Sequence, residues 1–238
     1  RGHSVTLYEK KGSVGGLLEF ANNVKGPHEN LSVLRSYFER QMEVLGVNVM
    51  LNTEATADII AEASPDIVIA ATGGVRDTLG LSDTAGTKVV GIDDFMMADI
   101  AEEVVIVGSN VQAIDAAMYL LAQGKHVQVV TPNAASAIGA GHSFWVKTFT
   151  QPNMKALGVR FWPEATVTAV NDGSVTVKTA TGIEQEIACG TVVEALDCLP
   201  NDNLSTGLSC EVVTVGDAAR PFNIGEAICS GNAAARAI

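Results

Sequence analysis

The residues of this sequence best suited to binding a charged ligand lie at a glycine turn, Gly108-Ser109-Asn110-Val111. An apolar run, Val104–Val107, precedes the turn, and a segment of helical periodicity follows it as far as Gly124. A second apolar run, Val127–Val130, then closes the segment. Strand, glycine turn, helix and strand in this order place the N–H groups and the positive end of a helix against a diphosphate. We therefore predict a βαβ unit that binds a dinucleotide.

The turn departs from the G-x-G-x-x-G/A fingerprint of such units at its second position. Gly108 supplies the first glycine and Ala113 the small third residue, but Asn110 stands where the backbone should approach the phosphates. Thr131 replaces the acid that binds a ribose 2′-hydroxyl, and no arginine follows it to bind a 2′-phosphate. Two interpretations stay open, a nicotinamide-binding site and a βαβ unit that has lost its ligand site. The predicted contacts are Gly108, Ser109, Asn110, Val111 and Thr131.

The start of the chain repeats the end of this unit. The strand Val5–Tyr8 matches Val127–Val130, and Glu9 matches Thr131. The repeated strand therefore ends in an acid suited to ribose hydroxyls. The strand, glycine loop and helix that precede such a strand take about 20 residues. We expect the chain to be truncated, beginning at the tail of a helix.

Composition argues against several classes of protein. The chain has 238 residues, of which 47% are hydrophobic and 18% charged, as in a globular protein of one large or two ordinary domains. The net charge of −12 argues against nucleic acid and anionic membranes as partners. The apolar runs are far shorter than the roughly 20 residues that span a bilayer, and no signal peptide opens the chain. We expect a soluble cytoplasmic protein, and the sequence leaves open whether it forms a homo-oligomer.

The reactive side chains form no catalytic or metal-binding pattern. The sequence contains no paired carboxylates, no nucleophile–base pair and no cluster of metal ligands, so we predict no catalytic residue and no metal site. The cysteines are spaced too widely for the close pair of a redox-active disulfide or a zinc site. We expect four scattered, buried thiols, at Cys189, Cys198, Cys210 and Cys229.

The rest of the chain alternates between helical and strand patterns. Helices are predicted over residues 27–45 and 56–63, and alternating strands between 161 and 188. Residues 75–103 are predicted to be a linker that contains a short helix near residues 93–100.

Several segments, covering essentially the whole chain, match one protein family. They are VTLYEK (5–10), GG (15–16), RQMEVLGVNVMLNTEAT (40–56), VIAATGG (68–74), VVIVG (104–108), residues 195–201, VGDAARP (215–221) and AICSGNAAARAI (227–238). These segments resemble the C-terminal half of multidomain NADH:flavin oxidoreductases related to old yellow enzyme. That family includes 2,4-dienoyl-CoA reductase, enoate reductases and trimethylamine dehydrogenase.

The resemblance implies an α/β protein with two nested, Rossmann-like domains of the three-layer FAD/NAD(P)-binding type. Residues 1–86 and 207–238 would form an FAD-type domain, truncated at its N-terminus, and residues 87–206 an NAD(P)-type domain inserted in it. In the family, a barrel that carries FMN and an iron–sulfur cluster precedes these domains. The resemblance therefore implies a missing N-terminal barrel as the partner domain.

The resemblance also assigns FAD contacts. Glu9 matches the acid that binds the adenosine ribose, and Gly216-Asp217 match the motif at the ribityl–phosphate part. The full set on this side is Glu9, Lys10, Gly15, Gly16, Ala71, Thr72, Gly73, Gly216 and Asp217. Because the glycine loop of this domain would precede the chain, we expect the isolated chain to bind FAD weakly or not at all.

The function implied by the resemblance is electron input. Hydride would pass from NAD(P)H to FAD, and electrons would continue to the cluster, the FMN and an enoate, dienoyl or amine substrate, so the isolated chain is expected to be inactive. A second interpretation is a module that binds ADP or is purely structural, as the equivalent region of trimethylamine dehydrogenase binds ADP without using a nicotinamide. A third, the reductase subunit of a glutamate-synthase-like enzyme, fits residues 40–56 less well. The choice among NADH, NADPH and ADP stays open.

Overall fold

In the computed structural model, residues 2–26, 30–204 and 207–238 are described. The helices are α1 (Leu17–Lys25), α2 (Leu31–Val44), α3 (Ala57–Ala63), α4 (Val111–Ala122), α5 (Phe144–Ala156) and α6 (Ile224–Ala237). The strands are β1 (Thr6–Tyr8), β2 (Asn48–Met50), β3 (Ile67–Ala70), β4 (Gly74–Arg76), β5 (Lys88–Gly91), β6 (Glu103–Val107), β7 (His126–Val130), β8 (Arg160–Trp162), β9 (Ala165–Asn171), β10 (Ser174–Thr179), β11 (Glu184–Ala188), β12 (Thr191–Glu194), β13 (Cys198–Pro200) and β14 (Glu211–Thr214). The predicted α/β class is confirmed. Within the described ranges, no helix combines the length and the apolar content needed to cross a membrane.

The chain divides into two compact units. Unit 1 consists of residues 1–75 and 198–238, and unit 2 of residues 76–197, so unit 2 is inserted in the sequence of unit 1. The sequence places the corresponding boundaries at 86/87 and 206/207, the second of which touches residues outside the described ranges. Within unit 2, the Arg76 guanidinium donates two hydrogen bonds, of 3.0 and 3.1 Å, to the Asp93 carboxylate. This ion pair ties the first residue of unit 2 to Asp93, an exposed residue of the same unit.

The core of unit 2 is a parallel sheet with the strand order β5-β12-β6-β7-β8. Val105 and Val107 of β6 form one apolar cluster with an antiparallel sheet of order β11-β10-β9. Because neighbouring residues of a strand point to opposite faces, Val104 and Ile106 face the other side, where α4 packs against β6 and β7. Burial on both faces explains why this strand is an unbroken apolar run.

Small residues let α4 lie close to the sheet. Ala113, Ala116 and Ala117 are completely buried. Asn110 caps the start of the helix, and Gly124, with a φ of 81°, follows its end. Glycine is favoured at this position because it adopts the left-handed conformation without a side-chain clash. The predicted end of this helix at Gly124 is confirmed.

Within the described ranges, unit 1 contains three two-stranded ladders, including one of β13 with β4, whose last residue Arg76 begins unit 2. β1 pairs with β2, starting with Thr6 opposite Asn48, and β3 pairs with β14, starting with Ile67 opposite Glu211. The buried hydrophobic residues described in unit 1 are Ile60, Ala70, Val215, Ala218 and Ala234. Unit 1 therefore has a thinner core than unit 2.

Several elements differ from the sequence prediction. The sequence predicts no helix at α1 or α5, and it predicts a linker where β5 forms the edge of the sheet. α1 follows a glycine pair, and α5 contains Pro152, two features that lower helical propensity. The short helix predicted near residues 93–100 is a single 3₁₀ turn at Phe95–Met97. Pairing with β12 fixes β5 as a strand, and α1 packs against α2.

Replacing Ile106 with alanine should destabilise unit 2, because this side chain is completely buried in a central strand. We expect the cavity to lower the free energy of unfolding by about 2–5 kcal/mol in urea denaturation. Ile183→Ala is the matched control, since Ile183 is 63% exposed. That variant should change stability by less than about 0.5 kcal/mol. Equal losses in the two variants would contradict the placement of Ile106 in the core.

Candidate functional site

The turn at Gly108 depends on a close approach between two stretches of backbone. Gly108 has a φ of 141°, and a Cβ built on it would collide with the carbonyl oxygen of Ala195. Backbone hydrogen bonds hold Gly108 and Ala195 in place. Gly108 N donates to Val130 O at 2.9 Å, and Ala195 N donates to Val107 O at 2.8 Å. This position therefore requires glycine. The turn leads from the carboxyl end of β6 into α4, which is where open parallel sheets bind their ligands.

The carboxamide of Asn110 performs two structural tasks at this turn. Its Oδ1 accepts a hydrogen bond of 3.0 Å from Ala113 N and so caps α4. Its Nδ2 donates to Ala195 O at 3.0 Å, to Leu196 O at 3.2 Å and to Asp197 Oδ1 at 3.2 Å. Asn110 itself is extended, with a φ of −74° and a ψ of 180°. The side chain is thus held against the helix and residues 195–197.

Asn110 leaves part of the helix end for a ligand. Intrahelical bonding begins with Ile114 N, which donates to Asn110 O at 3.2 Å. Helical geometry gives the amides of Val111 and Gln112 no acceptor within the helix. Together with the positive end of the helix dipole, these amides form the kind of group that binds a diphosphate.

A loop that follows β7 lies over this turn. We name residues 132–142 the cover segment. Gly139 N donates to Ser109 O at 2.6 Å, and Asn133 Nδ2 donates to Ser109 Oγ at 3.0 Å. Asn110 and Ala140 form an isolated parallel bridge. The cover segment is therefore bonded to the same residues that the sequence predicts as ligand contacts.

Thr131 lies beneath the cover segment. Its exposed fraction is 0%, and its Oγ1 accepts a hydrogen bond of 3.2 Å from Asn133 N. Its backbone N donates to Trp162 O at 3.0 Å, and its carbonyl accepts from Ala165 N at 2.9 Å. In this conformation Thr131 offers a ribose no exposed surface, so its predicted contact stays a prediction.

Glu9 and the glycine pair lie on either side of a short turn in unit 1. Glu9 follows β1, is half-buried, and accepts a hydrogen bond of 2.8 Å from Lys11 N through Oε1. A carboxylate has more acceptor positions than this single bond uses. Gly15 and Gly16 have φ values of 112° and 52° and lead directly into α1. Lys10, Gly15 and Gly16 are exposed, and no side chain caps α1.

The remaining residues predicted to bind FAD come together at the ends of two paired strands. Thr72 follows β3, and its Oγ1 donates to Asn201 O at 2.7 Å, while Ala71 is exposed and Gly73 has a φ of 73°. Gly216 follows the neighbouring β14, and its N donates to Ser230 Oγ at 2.9 Å. Asp217 Oδ1 accepts a hydrogen bond of 3.2 Å from Phe222 N. Within the described ranges, no ladder joins this pair of strands to β1 and Glu9.

Sequence reasoning misses two features of the turn in unit 2. One is the contact between the side chains of Asp115 on α4 and His142 in the cover segment, whose Oδ1 and Nε2 lie 3.5 Å apart with both side chains buried. The other is the anchoring of the turn to residues 195–197. An aspartate in an otherwise apolar helix face is a signal for the first feature, whereas no local signal points to the second.

A groove of about 910 Å³ opens at the other end of unit 2. Met118, Phe149 and Leu157 line it, together with Glu103 and His126, the first residues of β6 and β7. The hydrogen bond and the charge of Glu103 raise the pKa of His126 above its ordinary value. The groove contains no residue of the Gly108 turn and lies at the amino ends of the strands, so it is separate from the candidate site.

The cysteines only partly match the expectation of buried thiols. Cys189 is buried, Cys198 and Cys210 are half-buried, and Cys229 is exposed, and none of the four forms a disulfide. Among the described residues, no three histidines, cysteines or carboxylates group as metal ligands. The pKa of Cys189 rises to about 11, because burial disfavours the thiolate. The expectation of four buried thiols is therefore wrong for three of them.

Cys189 should react with iodoacetamide far more slowly than Cys229. With a pKa of about 11, about one Cys189 thiol in a thousand is ionised at pH 8, and the side chain is buried as well. Its rate should rise as the pH approaches 11, and its contribution to stability should fall between about pH 9 and 11, because the unfolded chain loses the proton first. Mass spectrometry of the two peptides over time measures both rates. Similar rates at pH 8 would contradict this placement of Cys189.

Replacing Asn110 with alanine should destabilise unit 2 more than the loss of a helix cap alone. A lost cap costs about 1 kcal/mol, and this variant also loses the bonds to residues 195–197. Ser143→Ala is the matched control, since Ser143 caps α5 in the same unit through a single bond of 3.4 Å to Val146 N. Urea denaturation should give the larger loss for Asn110→Ala. A loss no greater than that of Ser143→Ala would show that the donor side of Asn110 adds nothing.

Comparison with known proteins gives this site a family context. The matching family model is described as pyridine nucleotide-disulphide oxidoreductase and covers residues 62–195, more than half of the chain. The NADH oxidase of Thermoanaerobacter brockii is 35% identical over 136 residues, 55% of this chain and 21% of that protein. The cinnamate reductase of Clostridium sporogenes is 33% identical over 132 residues, 55% of this chain and 19% of that protein.

Solved structures also match nearly the whole chain. A complex of 2-naphthoyl-CoA reductase with 2-naphthoyl-CoA has a TM-score of 0.84 at 30% identity, covering 97% of this chain and 36% of that one. The chain spans about a fifth of the length of the two curated relatives, at 21% and 19%. These relatives confirm the resemblance to the FAD/NAD(P)-binding half of enoate-reductase-type proteins. The chain therefore belongs to the pyridine nucleotide-disulphide oxidoreductase family.

Proposed function

We propose that this chain is the electron-input module of a flavin-dependent oxidoreductase, in which unit 2 binds NAD(P)H and unit 1 binds FAD. The observation that carries the proposal is the Gly108 turn. It directs the start of α4 to the carboxyl ends of a parallel sheet, in a position that only glycine fits. Binding of a dinucleotide diphosphate at such a helix end is the common use of this arrangement.

In unit 2, the amides of Val111 and Gln112 would bind the diphosphate. Gly108 permits the close approach, and Asn110 holds the first turn of α4 in place from within. The bound nicotinamide supplies a hydride donor, and this chain contributes its binding and orientation. No lysine or arginine occurs between Thr131 and Lys147 to attract a 2′-phosphate. This composition favours NADH over NADPH.

In unit 1, the residues predicted to bind FAD follow the carboxyl ends of β1, β3 and β14. Glu9 accepts hydrogen bonds from the adenosine ribose, and Gly15 and Gly16 admit the diphosphate to the start of α1. Residues 71–73 and Gly216-Asp217 line the adjoining strand ends. The residues present thus fit a dinucleotide such as FAD.

The cysteines bear on where the electrons go. None of the four forms a disulfide, and Cys189 is buried with a raised pKa. We therefore propose that the electrons pass to an acceptor that is not a disulfide of this chain. By resemblance that acceptor is an N-terminal barrel with an iron–sulfur cluster and FMN. By the names of the relatives, a cinnamate reductase and a 2-naphthoyl-CoA reductase, the substrate is an enoate or a conjugated thioester, with dienoyl and amine substrates also in the family.

A second candidate function is a module that binds ADP, or that acts as a scaffold without nicotinamide turnover. The internal hydrogen bonding of the turn favours it. Ser109 Oγ, Asn110 and Thr131 Oγ1 all have partners within unit 2. A scaffold needs such bonds, whereas a ligand site normally keeps some polar groups for the ligand.

Calorimetric titration of the purified chain with NADH, NADPH, ADP and FAD separates these functions. We expect millimolar or tighter binding of a reduced nicotinamide, and its loss in Ser109→Glu, because a carboxylate at this turn repels the diphosphate. FAD binding, which we expect to be weak at most in the isolated chain, should weaken further in Glu9→Gln and stay unchanged in Ser109→Glu. Each variant is thus the control for the other.

A further control is Ser82→Glu, which adds the same charge at an exposed position of unit 2. This variant should bind as the unmodified chain does. Binding of ADP alone would support the second candidate, and binding of none of the four ligands would reduce the chain to a scaffold. Nicotinamide binding that survives Ser109→Glu would place the ligand somewhere other than the Gly108 turn.

A further inference from the structure

We propose that the cover segment, residues 132–142, is a gate that closes the Gly108 turn and must move before a dinucleotide binds. This inference rests on the proposed function of unit 2 and assigns a regulation to that site. In this proposal, the structure described above is the closed state. Closure and ligand binding then compete for the same residues.

The closed state is defined by contacts with three consecutive residues of the turn. Ser109 accepts two hydrogen bonds from the cover segment, at its carbonyl from Gly139 N and at its hydroxyl from Asn133 Nδ2. Asn110 forms a bridge with Ala140. Val111 packs so close to Gly141 that a Cβ built on the glycine would lie 2.7 Å from Val111 Cγ2. Val111 carries one of the amides that a diphosphate has to reach, and Ser109 and Asn110 directly precede it.

The competition follows from distance. A diphosphate oxygen needs about 2.7–3.2 Å to the amide that binds it. The cover segment is already bonded to Ser109 at 2.6 and 3.0 Å and in contact with the first helical residue. No ligand fits between the cover segment and Ser109 at these distances, and this contact lies directly beside the amides of Val111 and Gln112. The cover segment therefore leaves the turn when a ligand enters.

Two side chains of α5 and one buried contact with α4 hold the cover segment independently of the turn. Lys147 Nζ donates to Ser136 O at 2.9 Å, and Gln151 Nε2 donates to Ile138 O at 2.6 Å. His142 Nε2 lies 3.5 Å from Asp115 Oδ1. The gate thus has its anchors on α4 and α5, while its bonds to the turn are few. Such a balance suits a segment that opens without unfolding the unit.

Two glycines determine the backbone conformation of the cover segment in the closed state. Gly139 and Gly141 have φ values of 71° and 95°, which side chains rarely adopt. Gly141 combines this conformation with the contact to Val111, so alanine at this position is strained and collides in the closed state. The same substitution meets nothing at Gly158, whose φ is 99°. The chain therefore offers a gate-opening variant and a control with matched backbone strain.

The test compares the full chain with Gly141→Ala, Asn133→Ala and Gly158→Ala. Each protein is titrated with NADH and with ADP, and hydrogen–deuterium exchange is followed in peptides that cover residues 132–142. Gly141→Ala and Asn133→Ala should speed exchange in the cover segment and tighten nucleotide binding by about fivefold, because a larger fraction of molecules is open. Gly158→Ala should leave both unchanged. Circular dichroism confirms that each variant is folded.

The outcomes separate failure of the gate from failure of the proposed function. Faster exchange with unchanged affinity would overturn the gate while leaving nucleotide binding in place. Weaker binding by both variants would mean that the cover segment belongs to the ligand site, which also overturns the gate. An absence of binding by every protein, although exchange is faster, would overturn the gate and the proposed function together. If Gly141→Ala does not fold, Asn133→Ala decides alone, since it removes only one side-chain hydrogen bond.

Discussion

The close approach of Gly108 to the carbonyl of Ala195 is the constraint on which the candidate site depends. It brings the ends of β6 and β12 together, and Asn110 then joins the start of α4 to residues 195–197. A side chain at position 108 would separate these strands or tilt the helix. The helix end is therefore directed to the carboxyl ends of the strands because residue 108 is a glycine, not because of any charged group.

The two units achieve stability in different ways. Unit 2 buries its parallel sheet between α4 and an antiparallel sheet, so its strands are apolar on both faces. Unit 1 has only short, two-stranded ladders and few buried side chains within the described ranges. Contacts in unit 2 are consequently fixed by packing from several directions. In unit 1, the residues predicted to bind FAD are positioned mainly by turns and by single hydrogen bonds.

The sequence predicts the central unit well because its signals are local. The apolar run of β6, the turn at Gly108 and the end of α4 at Gly124 all follow from neighbouring residues. The sequence misses α5, since Pro152 and β-branched residues argue against a helix, and β5, which forms an edge strand within a segment rich in glycine. It also misses the partners of Asn110, because residues 195–197 lie about 85 positions away. Long-range contacts leave no local pattern in a sequence. The cover segment is held by such contacts, and many of them use main-chain atoms, which are the same in every residue.

Asn110 has a consequence for how this loop can change. In isolation, glycine at the second fingerprint position looks like an improvement, because it would free space for a diphosphate. Here the same change would uncap α4 and cut the link to residues 195–197. Glycine at this position is therefore favourable only if other residues perform both tasks. A residue that departs from a common loop motif can thus be required by the structure around the loop.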